Sequence, residues 1–272
     1  MSEEQRVLID VADHVATVTL NRPDKHNALD GAMFTGIIAA AEEIAATPGV
    51  RVVVMHGAGK SFCSGLDVAS LATGPISLDD ILQREGGRKS NLAQRPCTDW
   101  LDLPMPVIAA LHGNCFGGGL QIALGADIRF AAPDTRLSIM ESKWGLVPDM
   151  GITSSLPRLV PIDVAKELTY TARILSGEEA KELGLVTHVS DDPLAAAQEL
   201  AREIAGRSPD AMRAAKTLYD SAWNRPVEEG LLLETELQKG LIGSPNQIAA
   251  VTAGMTKQPG EFVDAGVEPA TA

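Results

Sequence analysis

Residues 111–151, LHGNCFGGGLQIALGADIRFAAPDTRLSIMESKWGLVPDMG, run three consecutive glycines into an apolar, helix-like segment and place two carboxylates, Glu141 and Asp149, a short way beyond. Gly117, Gly118 and Gly119 leave the backbone bare where a helix starts, and a helix start presents unpaired N–H groups with a partial positive charge. Such a place suits an anion that develops during a reaction. Glu141 and Asp149 could then move protons at whatever those amides hold. Short apolar runs flank the glycines: 107–111 before them, 128–131 and 137–139 after them, each read as a strand. Strand, turn and helix repeated without long alternating strands imply an α/β domain with parallel pairing.

Upstream, Val7–Ile9 and Val15–Leu20 are β-branched, alternate around Ala12-Asp13-His14, and predict a hairpin. NRPDKHNALD at 21–30 stops the second strand with Pro23, and Asp30 is placed to cap a helix over 31–46. The almost wholly apolar run 50–55 suits a strand buried on both faces. It leads through Gly57-Ala58-Gly59 into KSFCSGLD at 60–67, a second glycine-containing turn after a strand. Residues 70–98 are polar, glycine-punctuated and weakly periodic, with Arg84, Glu85, Arg88 and Lys89 clustered, and are expected to form a mobile loop with some helix.

Downstream of Gly151 the pattern turns helical, over 152–160, 163–172, 177–183 and 193–206. Ser208-Pro209 starts a further helix with Pro in its first turn, Pro226 another to about Leu241, and Ser244-Pro245 a last one ending near Lys257. The expected organisation is a core over 1–207 and a helical region over 208–272.

Composition limits the function. With 45% hydrophobic and 22% charged residues in 272, the chain can bury a substantial core. A net charge of −13 argues against a nucleic-acid partner, which needs clustered Lys and Arg. Cys63, Cys97 and Cys115 have no CxxC spacing and the histidines are dispersed, so neither a zinc site nor another metal centre is expected. No apolar run reaches about 18 residues, and MSEEQRVLID lacks the apolar core of a secretory signal. The expectation is a cytoplasmic protein with no membrane partner. His112 reads as a core or supporting histidine, and no GxSxG elbow surrounds Ser64 to make it a nucleophile.

Four blocks together resemble the crotonase superfamily, the enoyl-CoA hydratase/isomerase fold: NRPDKHNAL at 21–29, GAGKSFCSGLD at 57–67, PVIAALHGNCFGGGLQIALGADIRFA at 106–131 and ESKWGLVPDMG at 141–151. The resemblance implies an α/β, crotonase-like ββα spiral core with a helical C-terminal region, assembled as homotrimers often paired into hexamers. It implies an acyl-CoA thioester substrate, with coenzyme A part of the substrate and no further cofactor, and with the thioester carbonyl between the backbone N–H groups of Ser64 and Gly118. It lays Ala28 and Leu29 along the CoA moiety. Arg22, Lys25, Lys60 and Lys257 are candidates to pair with its phosphates through charge-assisted bonds, and Trp144, between the two carboxylates, could wall an apolar acyl pocket that Gln121 also lines.

Family hydratases use two glutamates, and here the first of those positions is Gln121, an amide that neither gives nor takes a proton usefully near neutral pH. Glu141 matches the second. The interval from Glu141 to Asp149 is similar to the carboxylate pair of family dienoyl-CoA isomerases, although those also carry an acid at the Gln121 position. The expected activity is therefore a double-bond shift in an enoyl- or dienoyl-CoA through a thioester enolate. The alternatives are hydration with Asp149 in place of the missing Glu, and a non-catalytic acyl-CoA binder.

Overall fold

A computed structural model describes residues 5–73, 81–84 and 86–265. Strands β1 (Val7–Ala12) and β2 (Val15–Leu20) form the expected hairpin, with six register pairs from Val7↔Leu20 to Ala12↔Val15. Its turn is only Asp13-His14, at φ 48° and 67°. Two left-handed residues match the twist of the flanking strands and let the ladder run to Ala12, beyond the expected strand end. Helix α1 (Gly31–Ala46) starts where Asp30 accepts the Met33 N–H at 2.8 Å.

Strands β3 (Val52–Gly57) and β4 (Val107–Leu111) follow, separated in sequence by α2 (Val68–Thr73) and α3 (Arg95–Leu101). Then come β5 (Asn114–Phe116), α4 (Gly118–Leu124), β6 (Ile128–Ala131) and β7 (Arg136–Ser138). A short α5 (Ile152–Ser155) precedes α6 (Ile162–Thr171), α7 (Gly177–Glu182), β8 (His188–Val189) and α8 (Pro193–Ala205). The main sheet runs β1-β2-β3-β4-β6-β8, parallel from β2 onward, and β5 pairs with β7 in a second, parallel two-stranded sheet.

Both faces of the main sheet are covered. Val53, Met55, Val107 and Ala109 point into the larger core with α1, while Val52, Val54, Ile108 and Ala110 point to the other face. There α8 lays Ala197, Ala201 and Ala205, spaced one turn apart, against the strands. The near-continuous apolar runs of β3 and β4 follow from this two-sided burial. Part of the 70–98 loop lies outside the described residues. Of its cluster, Arg88 pairs with Glu42 at 3.7 Å and Lys89 with Asp102 at 2.6 Å.

Beyond α8 the chain changes character. Helices α9 (Pro209–Ala222), α10 (Val227–Leu241) and α11 (Pro245–Thr256) bury only Pro209 and Asn246 among their residues. Trp223, Val227, Leu231, Leu232, Val251 and Met255 are exposed. Polar contacts hold α9 to the core: Lys216 Nζ donates to Asp127 Oδ2 at 2.9 Å, and Arg158 pairs with Asp220 at 3.1 Å. Among the described residues no helix is long and apolar enough to cross a membrane.

Candidate active site

Three segments that leave β2, β3 and β4 at the same end of the sheet continue side by side. Leu29 N–H donates to Gly65 O at 2.8 Å and Asp67 N–H to Leu29 O at 3.0 Å; Cys63 N–H donates to Asn114 O and Phe116 N–H to Cys63 O, both at 3.0 Å. Residues 27–29, 62–67 and 114–118 are thereby stitched into one layer. Asn27, buried and at φ 55°, pins the first two: Nδ2 faces the carbonyl oxygens of Ala58, Ser61 and Phe62 at 2.8–3.1 Å, and Oδ1 accepts the Arg22 N–H at 2.8 Å.

The stitching decides which backbone N–H groups remain. Ser64 N–H is consumed by His26 O at 3.0 Å, so it is not the open donor expected from the sequence. Two residues on, Leu66 N–H meets no acceptor among the described residues, because the neighbouring donors of the layer are those of Leu29 and Asp67. Gly118 N–H, at the first position of α4, is likewise open. A Cβ placed on Gly65 would stand 3.8 Å from Gly118 N, which measures how near the two turns come. Gly118 has no room for a side chain: its Cβ would lie 2.9 Å from Leu29 Cδ1 and 2.5 Å from Met150 Sδ.

Glu141 opens a 3-10 turn (Glu141–Trp144) directly after β7 and is buried. Gln121 Nε2, from α4, donates to its Oε1 at 2.6 Å, while Oε2 is buried with no hydrogen-bond partner. Gly117, at φ 50°, lets the carboxylate approach, since a Cβ there would be 3.1 Å from Glu141 Oε1. Burial pushes the Glu141 carboxyl above its ordinary range; the Gln121 hydrogen bond opposes the rise and the Asp149 charge adds to it. Partial burial raises the Asp149 carboxyl too. Asp149 does not cap α5, whose N-cap is Gly151 with no side-chain bond.

Other expected site residues fall elsewhere. Arg22 Nη1 donates to Asp67 Oδ2 at 2.8 Å and to Ala28 O at 3.0 Å, and Nε stands 3.4 Å from Asp30. These contacts staple the layer, and a partner at 67 is too distant in sequence to be read from NRPDKHNAL. Trp144 is 64% exposed, with Lys143 Nζ 5.9 Å from its ring centroid. Lys25 and Lys60 are exposed on adjoining loops, Pro23 Cβ being 2.7 Å from where a Gly59 Cβ would lie. Lys257 is exposed as the left-handed C-cap of α11. Ala28 is half-buried, and buried Leu29 packs at Gly118. His112 Nε2 contacts Gly59 O at 3.0 Å, in a supporting position.

Sequence reasoning missed Leu66, Asn27 and Met150. Leu66 offers only its backbone N–H, and no side-chain pattern marks it. A cavity of about 360 Å³ beneath α9, lined by residues including Arg129, Met212, Lys216 and Asp220, has none of these residues in its wall. Among the described residues no group of three or more His, Cys, Asp or Glu could hold a metal ion.

The family model described as Enoyl-CoA hydratase/isomerase matches residues 10–261. The chain belongs to that family. It is 33% identical to the mitochondrial Delta(3,5)-Delta(2,4)-dienoyl-CoA isomerase of Rattus norvegicus, over 90% of this chain and 77% of the relative. It is equally 33% identical to the (E)-benzylidenesuccinyl-CoA hydratase of Thauera aromatica, over 83% and 86%. The crystal structure of enoyl-CoA hydratase from Bacillus anthracis superposes with a TM-score of 0.86 at 31% identity, covering 95% of this chain and 99% of that one. The ββα core followed by C-terminal helices is the crotonase-like architecture expected of this enoyl-CoA hydratase/isomerase family enzyme.

Proposed function

We propose that the enzyme shifts a double bond in an enoyl- or dienoyl-CoA, with Glu141 as the base that removes a proton from the acyl chain and returns it at another carbon. The observation that carries this reading is the Glu141–Gln121 pair: one buried carboxylate with a bare oxygen, hydrogen-bonded to an amide where hydration would call for a second acid. Proton removal beside a thioester carbonyl puts negative charge on oxygen. We assign that charge to the open N–H groups of Leu66 and Gly118, on turns that come close together, and each such donor in a dry site is worth about 3 kcal/mol.

A second reading rests on Asp149. Its charge adds to the rise of the Glu141 carboxyl. In a 1,5-type shift Asp149 holds the distant proton; in a hydration it replaces the missing glutamate. For the CoA moiety we propose Lys25 and Lys60, on adjoining exposed loops, Lys257, and Arg22 through its remaining guanidinium nitrogen. We also propose a homotrimer, alone or paired, which would cover the exposed apolar residues of α10 and α11.

Turnover of 3-enoyl-, 3,5-dienoyl- and 2-enoyl-CoA by the unaltered enzyme, Glu141→Gln and Asp149→Asn tests the assignment. Glu141→Gln should lose about 10²–10⁴-fold in kcat. Full turnover in that variant sinks the base assignment. Faster water addition to 2-enoyl-CoA than isomerisation of the other two moves the conclusion to hydration.

A further inference from the structure

Both ends of the Gln121 amide are engaged inside the protein. Oε1 accepts the Met150 N–H at 2.8 Å, and Nε2 donates to Glu141 Oε1 at 2.6 Å. A backbone N–H can only donate, so the amide oxygen must face Met150 and the NH₂ must face Glu141. Glu141 Oε2 meanwhile has no partner although it is buried. A buried polar atom left bare is uncommon and costly, and here its twin oxygen is held fast.

We propose that Gln121 is a positioning residue: it anchors Glu141 by Oε1, favours the ionised carboxylate, and leaves Oε2 bare toward the acyl carbon. This rests on the reading of Glu141 as the base. Gln121 sits one turn into α4, its N–H bonded to Gly117 O at 3.0 Å, so the helix that opens with the Gly118 N–H also carries the clamp. The anchoring Met150 N–H lies beside Asp149, and Met150 Sδ packs where Gly118 has no side chain. One amide therefore fixes the carboxylate relative to both the anion-binding turn and the second acid.

The groups that act on Glu141 oppose one another. Burial most strongly disfavours its ionised form and the Asp149 charge does so too, whereas Gln121 and the N–H groups of Glu141 and Met140 favour it. A second carboxyl at 121 would share one proton with Glu141. An amide of the same shape donates a hydrogen bond and leaves the base free of that proton.

The test follows the Glu141 carboxylate by infrared difference titration, its band identified by subtraction of the Glu141→Gln spectrum. In Gln121→Met the midpoint should move up by about one pH unit, the worth of a hydrogen bond to a charged group. The acid limb of kcat should move with it, and KM should change by less than about twofold. A lowered melting point with an unmoved titration midpoint is what a merely structural role predicts, and it overturns the clamp. If Gln121→Met does not fold, Gln121→Glu carries the test. Its carboxyl can donate to Glu141 and accept from Met150, so two carboxyls in contact should titrate in two separated steps; a single step at the unaltered midpoint overturns the proposal. Turnover in Glu141→Gln judges the base assignment separately, since the infrared midpoint does not depend on activity.

Discussion

Asn27→Ala removes the side chain that holds the 21–29 loop to the 57–62 loop. Nδ2 has two hydrogens for three carbonyl oxygens, so at most two full-strength bonds are donated, and Oδ1 accepts a third from Arg22 N–H. At a net of about 1 kcal/mol each, their loss costs about 3 kcal/mol. The residue is also left-handed, at φ 55°, which asparagine tolerates and alanine does not without about 1 kcal/mol more. The sum, about 4 kcal/mol, corresponds to a Tm lower by roughly 12 °C in a chain of this size. Asn27→Asp is the control. It keeps the shape, the left-handed tolerance and the acceptor for Arg22, but it turns a donor facing three carbonyl oxygens into an acceptor, so it should be destabilised by at least about 2 kcal/mol. Chemical and thermal unfolding at one fixed protein concentration measures both, because any assembly makes Tm concentration-dependent. A loss below about 1 kcal/mol in Asn27→Ala, or an Asn27→Asp protein indistinguishable from the unaltered one, would refute the reasoning.

Gly117→Ala should lower kcat at least about tenfold with KM little changed, since its Cβ would meet Glu141 Oε1 at 3.1 Å on a backbone at φ 50°; steady-state kinetics decide it, and unchanged kcat counts against the close approach. Asp149→Asn removes a charge that raises the Glu141 carboxyl, so the acid limb of kcat should move to lower pH, opposite to the shift expected in Gln121→Met. The Asp67 carboxyl is held down to about 2, first by the Ser70 hydroxyl and with the Arg22 guanidinium adding to it. A depressed folded value gives stability that is present above about pH 4 and lost as pH falls through about 2; Asp67→Asn should flatten the acid side of an unfolding-against-pH curve over that window. Burial holds the Cys63 and Cys97 thiols protonated, up to about 12, and Cys115 is also buried and raised. An aromatic disulfide reagent at pH 8 should label none of the three in the folded protein and all three in denaturant.

Elements set by local chemistry were legible in the sequence. Helix α1 covers the 31–46 expected after Asp30, and β4 and β6 match their apolar runs residue for residue. Two elements were not legible. Strand β5 is three residues, Asn-Cys-Phe, and β8 is two, so neither has a period to read; each exists only because a distant strand pairs with it. Pro157 turns the end of the expected 152–160 helix into a 3-10 turn at Leu156–Arg158. In the site, Glu141 and Gly118 were marked by residue type, but Leu66 could not be told from Ser64. Which of two neighbouring N–H groups stays open depends on His26 O, from a loop folded over it. Arg22 read as a free cation for the same reason, its partners Asp30 and Asp67 being brought up only by the fold.

The layer of 27–29, 62–67 and 114–118 also bears on how such a catalyst changes over time. Its two open N–H groups belong to the main chain, so substitution at Leu66 deletes neither donor, provided the pairing of Leu29 with Gly65 and Asp67 persists. Gln121 and Glu141 hang separately, from α4 and from the turn after β7. Under the proposed mechanism, charge stabilisation and proton transfer are thus written in different parts of the sequence. Exchange of an acid for an amide at position 121 would then change the proton chemistry and leave both backbone donors in place.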